Sequence, residues 1–215
     1  MSNVLVLGAA GKIARLAEEQ LLDNTDAQLT LFLRRPERLE GKINKDRERL
    51  VDGDATNQEQ LVAAMKGQDI VYANLAGSNI EEQATKIVAA MDQVGIKRLI
   101  WISTLGIYDE VPGAYGKWNH QMLDGGYLET YSAAAKVIEN SDLDYTVVRP
   151  AWLSNKNEID YEITQKGEPF KGTEVSRKSI GALVMKLVQD PSQEIGHSIG
   201  VNKPNTDGDK PEWYR

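Results

Sequence analysis

Cysteine is absent from this chain of 215 residues, which excludes disulfide staples, thiolate catalysis and cysteine-ligated zinc. Histidine occurs twice, as His120 and His197, too few for a histidine-based metal site. No apolar run approaches the roughly 18 residues of a membrane span. The opening Met-Ser-Asn-Val-Leu carries no basic stretch, so no secretory signal is expected. Positive charge is in the minority, with 25 Lys and Arg against 32 Asp and Glu. The net charge of −7 opposes general binding to nucleic acid or to an anionic membrane. Internal repeats and low-complexity stretches are missing too. What remains is ordinary for a soluble globular protein: 41% hydrophobic and 27% charged residues, in a length that suits one large domain. The cytoplasm is the expected compartment.

Short apolar runs alternate with helical periods. Val4–Leu7, Leu29–Leu33, Leu50–Val51, Asp69–Asn74, Arg98–Ser103 and Tyr145–Arg149 read as strands. Lys12–Asp23, Asn57–Lys66, Ile80–Val94, Glu129–Asn140 and Arg177–Gln189 read as helices. This alternation predicts an α/β fold, a Rossmann-like doubly wound parallel sheet. Val4–Leu7 and Leu99–Ile102 lack polar alternation, as strands covered on both faces do. The pattern divides the single domain into a core over 1–150, a substrate-side elaboration over roughly 151–202, and a polar tail over 203–215. Residues 151–175 read as loop with at most one short strand, and Ser198–Val201 as a last strand. Trp213 and Tyr214 either dock on the body or end a loose tail.

Gly8-Ala9-Ala10-Gly11-Lys12-Ile13-Ala14 lies between the first strand and the first helix. The chain must turn sharply there, and a phosphate must approach the backbone closely. Glycine meets both needs because it lacks Cβ. Amides at the helix start then face a pyrophosphate, helped by the helix dipole. A glycine-rich string alone is weak evidence, but here it has the strand before and the helix after that a dinucleotide site requires.

Leu7-Gly8-Ala9-Ala10-Gly11-Lys12-Ile13-Ala14 resembles the cofactor turn of atypical short-chain dehydrogenase/reductases. The resemblance is to their NAD(P)-binding, NmrA-like group, which includes flavin/biliverdin reductase-like enzymes. Further motifs follow in the same order: Gly53-Asp54-Ala55-Thr56, Ala73-Asn74-Leu75-Ala76-Gly77, Ile102-Ser103-Thr104, Lys136 with Glu139, and Asp144 to Pro150. Ser176-Arg177 before a helix is similar to a late motif of the group. The ordered set spans most of the chain and is far more specific than any one motif.

The resemblance implies Asp54 and Ala55 beside an adenine, and Leu75, Ala76 and Gly77 beside the adenine-side ribose. It implies Pro150, Ala151 and Trp152 near a nicotinamide. Locally, Gly53-Asp54 reads equally well as a strand-end turn in which Asp54 caps the next helix. NAD-binding folds usually put an acidic residue after the second strand, to hold the ribose 2′-hydroxyl. Here Leu33 is followed by Arg34 and Arg35, in a stretch over 34–49 with seven basic and four acidic residues. Two guanidinium groups suit a 2′-phosphate, so the expected cofactor is NADP rather than NAD. Arg38, Lys42 and Lys45 read as a solvated loop.

The resemblance also gives Ser103 a role near the nicotinamide, where its hydroxyl would meet a substrate carbonyl. Ordinary short-chain dehydrogenases use a Tyr and a Lys four positions apart, on one helix face. Lys136 fits the lysine, but the position four before it is Ser132. Tyr131, five before, points about 140° away on a regular helix. Its alternatives are catalysis from a distorted helix or packing with Ala134, Ala135 and Ile138. Residues 106–128 read as a long loop with Tyr108, Tyr115, Trp118, His120 and Tyr127, either a lid over a flat ring or a set of surface aromatics. The expectation is an NADP-dependent reductase moving hydride to a flavin, quinone or carbonyl acceptor, as monomer or homodimer. The alternative is a non-catalytic NADP(H) sensor acting through a protein partner.

Overall fold

The computed structural model describes residues 2–214. Eight strands form one sheet in the order β3-β2-β1-β4-β5-β6-β10-β8. The strands are β1 (Asn3–Leu7), β2 (Gln28–Leu33), β3 (Glu48–Asp52), β4 (Ile70–Ala73), β5 (Arg98–Ile102), β6 (Asp144–Pro150), β8 (Glu162–Gln165) and β10 (His197–Asn202). All neighbours pair in parallel except β8, which runs antiparallel to β10 at one edge. The chain is a Rossmann-like α/β fold, and its strand order reverses between β1 and β4. A ligand crevice opens at such a reversal, outside the carboxyl ends of the strands.

Alternate residues of each strand feed two apolar layers, because side chains on a strand point to opposite faces in turn. Val4, Val6, Leu29, Leu31, Ile100 and Val148 pack toward α1 (Lys12–Asn24) and α6 (Arg177–Gln189). Leu5, Leu7, Val71, Leu99, Trp101 and Val147 pack toward α2 (Gln58–Met65), α3 (Ile80–Val94) and α5 (Tyr127–Glu139). Gly181 lets α6 close on α1, since a Cβ there would lie 3.0 Å from the backbone of Leu16 and Ala17. Among the described residues no helix is long and apolar enough to cross a membrane.

Two segments differ from expectation. Residues 106–128 are not a long loop: Gly113–Leu123 form a helix, α4, and α5 begins at Tyr127 rather than Glu129. Gly113 and Gly116 depress helix propensity, yet Gly116 is needed, because a Cβ there would sit 2.0 Å from the Val111 carbonyl oxygen. Tertiary bonds then hold α4. The Tyr115 hydroxyl donates to the Thr173 carbonyl at 2.9 Å, and buried Asn119 accepts from Trp152 Nε1 at 3.0 Å. Residues 151–175 hold not one strand at most but β7 (Trp152–Ser154), β8 and the start of β9 (Glu174–Ser176), with β7 and β9 paired as a small second sheet. The tail docks on the body. Tyr214 lies 5.1 Å from the Trp118 ring and 5.5 Å from Trp152, ring centre to ring centre.

Candidate cofactor and acceptor sites

The glycine turn packs beneath Asn74, at the end of β4. Gly8 takes φ +76°, and a Cβ there would lie 2.2 Å from the Asn74 carbonyl oxygen. A Cβ on Gly11 would lie 2.1 Å from Asn74 Nδ2. Gly8 is therefore required by the fold itself before any ligand arrives, whereas a side chain at Gly11 would meet the movable end of Asn74. Gly11 caps α1 without a side-chain hydrogen bond, and the first turn holds no acidic residue. The first amides of α1 are left for an anion, with the positive end of the helix dipole behind them.

A cleft of about 490 Å³ opens in front of this turn. Gly8, Ala10 and Gly11 form its floor, Leu75, Ala76 and Gly77 one wall, and Asp54 and Ala55 the far end. Arg34 and Arg38 project at its rim. Arg35 does not line it. Pro36 disfavours the right-handed helical region for the residue before it, and Arg35 sits at φ 59°, heading the short 3₁₀ turn Pro36–Arg38. That turn brings Arg38 to the cleft beside Arg34. Neither guanidinium has a carboxylate in ion-pair range among the described residues. Lys12 is exposed outside the cleft, and Ile13 faces the core. Asp54 does not cap α2, whose N-cap is Asn57, accepting from the Gln60 amide at 3.1 Å. Instead the Asp54 carboxylate accepts from the Thr56 amide and hydroxyl, at 2.9 and 2.8 Å. Those two bonds hold its pKa below the usual carboxylate value.

A second cavity, of about 330 Å³, lies at the ends of β5 and β6. Ser103 lines it with Pro150, Ala151 and Trp152, and Tyr127, Trp213 and Tyr214 give it an aromatic wall. Ser103 is only 7% exposed, and its hydroxyl has no hydrogen-bond partner. A buried hydroxyl without a partner costs free energy. Arg177, the first residue of α6, also faces the cavity. Sequence reasoning noted Arg177 only as part of a motif.

Tyr131 and Lys136 are not at this cavity. Tyr131 is 4% exposed in the α3/α5 layer, its ring stacked 4.5 Å behind Tyr127. Burial pushes its phenol well above the ordinary tyrosine range. Lys136 is exposed on α5. The Ser132 hydroxyl donates to the Ile107 carbonyl at 3.0 Å. His120 lies on the surface between the Asp124 and Asp109 carboxylates, at 2.8 and 3.0 Å, which raise its pKa.

Arg149 points away from the cavity. It is fully buried, ion-paired to Glu110, and donates from Nε and Nη2 to the Ser198 hydroxyl and carbonyl at 3.0 and 3.1 Å. The Glu110 carboxylate in turn accepts from the amides of Gly106 and Tyr108, both at 3.0 Å. This network fixes the turn that follows Ser103 and Thr104, and no periodicity in the sequence could have announced it.

Fold and cleft together define a dinucleotide-binding protein of the Rossmann type. The chain belongs to the NAD(P)H-binding family, whose model matches residues 8–191. It is similar to a Rossmann-fold NAD(P)-binding family protein from Shigella flexneri, at 44% identity and TM-score 0.85 over 98% of both chains. It is also similar to a short-chain dehydrogenase/reductase from Veillonella parvula solved in complex with NADP. There the identity is 30% and the TM-score 0.89, over 98% of this chain and 99% of that one. The uncharacterized sugar epimerase YhfK of Bacillus subtilis is 27% identical over 72% of this chain and 73% of its own.

Proposed function

We propose that the protein is an NADP-dependent reductase that delivers hydride to a flat conjugated acceptor, such as a quinone or flavin. The observation that carries this reading is the aromatic cavity at the ends of β5 and β6, with the unpartnered Ser103 hydroxyl in its wall. Arg34 and Arg38 would hold the 2′-phosphate, and the amides at the start of α1 the pyrophosphate. When bound, NADPH would supply the hydride. Ser103 donates a hydrogen bond to an acceptor oxygen or nitrogen and stabilises negative charge as it develops. Tyr127, Trp152 and Tyr214 exclude water from the ring faces. The acceptor gains two electrons and one proton as hydride, and its second proton comes from solvent. That last step suits a site without a Tyr–Lys pair: quinone and flavin anions are stable enough to await water, whereas a simple ketone needs an acid in the transition state. The same missing pair favours the competing reading, a cofactor-binding sensor without turnover.

The test follows NADPH oxidation at its near-ultraviolet absorption band against quinones, flavins, aldehydes and ketones. Turnover with quinones or flavins, absent with simple ketones, supports the proposal. NADPH binding with no turnover across the panel overturns it in favour of the sensor.

A further inference from the structure

Arg177 opens α6, a helix of 13 residues, with Ser176 as its N-cap accepting from the Ser179 amide at 2.9 Å. Arg177 lines the aromatic cavity. One arm is fixed: Nη1 donates to the Leu153 carbonyl at 3.2 Å and to Asn155 Oδ1 at 2.7 Å. Both partners are neutral. Among the described residues no carboxylate lies in ion-pair range of Arg177. Lys156, close by after β7, has both Glu174 and Glu212. The remaining donors of the guanidinium have no acceptor among the described residues. Its charge adds to the positive end of the α6 dipole.

Two features point to a ligand rather than to a structural cation. Apart from Ser103 and Thr104 the cavity wall is made of aliphatic and aromatic residues and holds no carboxylate to compensate the charge. And Ser103, more than nine-tenths buried, lines the same cavity, its hydroxyl without a partner of its own among the described residues. A ligand that satisfies both must carry a neutral acceptor atom at one end and an anionic group at the other, with a flat body between. The volume of about 330 Å³ admits two or three fused rings with one such group.

We infer that Arg177 is a specificity-determining residue that binds a carboxylate or sulfonate on a compact aromatic acceptor. The inference rests on reading this cavity as the acceptor site. A planar fork held rigid by two carbonyl-type acceptors loses little freedom when it pairs with a carboxylate, which makes arginine better suited here than lysine. A neutral ring meets the aromatic wall and Ser103 but leaves the guanidinium without an anion, so the anion sets the choice between acceptors of equal size.

The experiment compares naphthoquinone with naphthoquinone sulfonate, which share a ring system and differ in one anionic group. Binding is read by quenching of the tryptophan fluorescence in the presence of NADP, and turnover by NADPH oxidation. Wild type is expected to bind the sulfonate more tightly than the neutral quinone. Arg177→Gln should weaken the sulfonate roughly ten-fold, through the loss of a charge-assisted bond, and leave the neutral quinone and NADPH unchanged. Arg177→Lys should restore part of the difference. Equal loss for both quinones would mean that Arg177 only packs the wall, and would overturn the inference. So would weaker NADPH binding, which would assign Arg177 to the cofactor, or no quenching by either quinone. If both quinones bind but neither is reduced, the reductase reading fails while the anion preference still stands or falls on the quenching data.

Discussion

The Arg149 guanidinium and the Glu110 carboxylate form an ion pair with both side chains buried, between β6 and the turn that leads from Ser103 into α4. Glu110 also ties down the Gly106 and Tyr108 amides, and Arg149 grips the β10 backbone at Ser198. Glu110→Ala leaves a buried arginine unpaired, which costs about 3–5 kcal/mol. The expected outcome is a large fall in melting temperature and loss of acceptor turnover, with NADPH affinity falling less in whatever fraction stays folded. Thermal unfolding and cofactor titration on the same sample check both parts.

The glycine turn yields a sharper test, because its two glycines meet different atoms of one residue. Gly11→Ala collides with the Asn74 side chain, and Gly8→Ala with the Asn74 carbonyl. A side chain can be trimmed and a carbonyl cannot. Asn74→Ala should therefore rescue folding in Gly11→Ala and do nothing for Gly8→Ala, which also carries left-handed strain. Equal rescue of the two, measured by melting temperature, would contradict this packing.

Cofactor preference divides the three arginines. Arg34 and Arg38 stand at the cleft, and Arg35 turns away at the head of the 3₁₀ turn. Charge-assisted hydrogen bonds contribute roughly 1.5–3 kcal/mol, or about 10- to 150-fold. Arg34→Ala with Arg38→Ala should lower NADPH affinity within that range and leave NADH nearly unchanged. Arg35→Ala should leave both unchanged. Fluorescence titration of the two cofactors against the three variants decides it.

These contrasts mark what the sequence makes legible. Buried strands such as Val4–Leu7 and Leu99–Ile102 show as unbroken apolar runs, and the glycine turn follows directly on the first. Alternation of strand and helix then leads to the doubly wound sheet. Helix α4 is hidden because Gly113 and Gly116 break the helical pattern, and the contacts that override propensity come from Thr173 and Trp152, far along the chain. Arg35 and Arg38 exchange places because one left-handed residue before Pro36 rotates the chain, which no count of charges foretells. Asn74, Glu110 and the tail residue Tyr214 act through distant partners, and only the folded chain brings those partners together.

Tyr131 and Lys136 carry opposite expectations under the two chemistries. With Tyr131 buried behind Tyr127 and Lys136 in solvent, Tyr131→Phe should keep most of the turnover with quinones. Lys136→Ala should change kcat and KM for NADPH by less than about two-fold, the scale of an exposed surface change. A general-acid contribution is about 10²–10⁴-fold. A loss of that size in Tyr131→Phe, with folding and NADPH affinity intact, would mean that α5 rearranges to bring the phenol to the acceptor.

Glu18 gives the stability a pH dependence. It lies on α1 with its side chain buried, and burial raises its carboxyl pKa from 4.5 to about 8. The nearby Glu48 raises it further, while Arg15, its ion-pair partner, opposes the change. Tyr72, wholly buried nearby, has its own pKa raised by burial and by Glu18. In the unfolded chain Glu18 gives up its proton near pH 4.5, whereas in the folded protein it keeps it to about pH 8. Between those values the folded state holds more protons than the unfolded state, so stability falls as pH rises. The loss across this window is of order 1–4 kcal/mol, since a group protonated in one state alone contributes at most about 1.4 kcal/mol for each pH step of one. Glu18→Gln keeps the shape and removes the titration. Its melting temperature should match wild type at the acid end of the window, exceed it at the alkaline end, and show a flatter profile between. A wild-type profile that rises across the same window, or a Gln variant with the same slope, would mean that Glu18 is already ionised and held by Arg15.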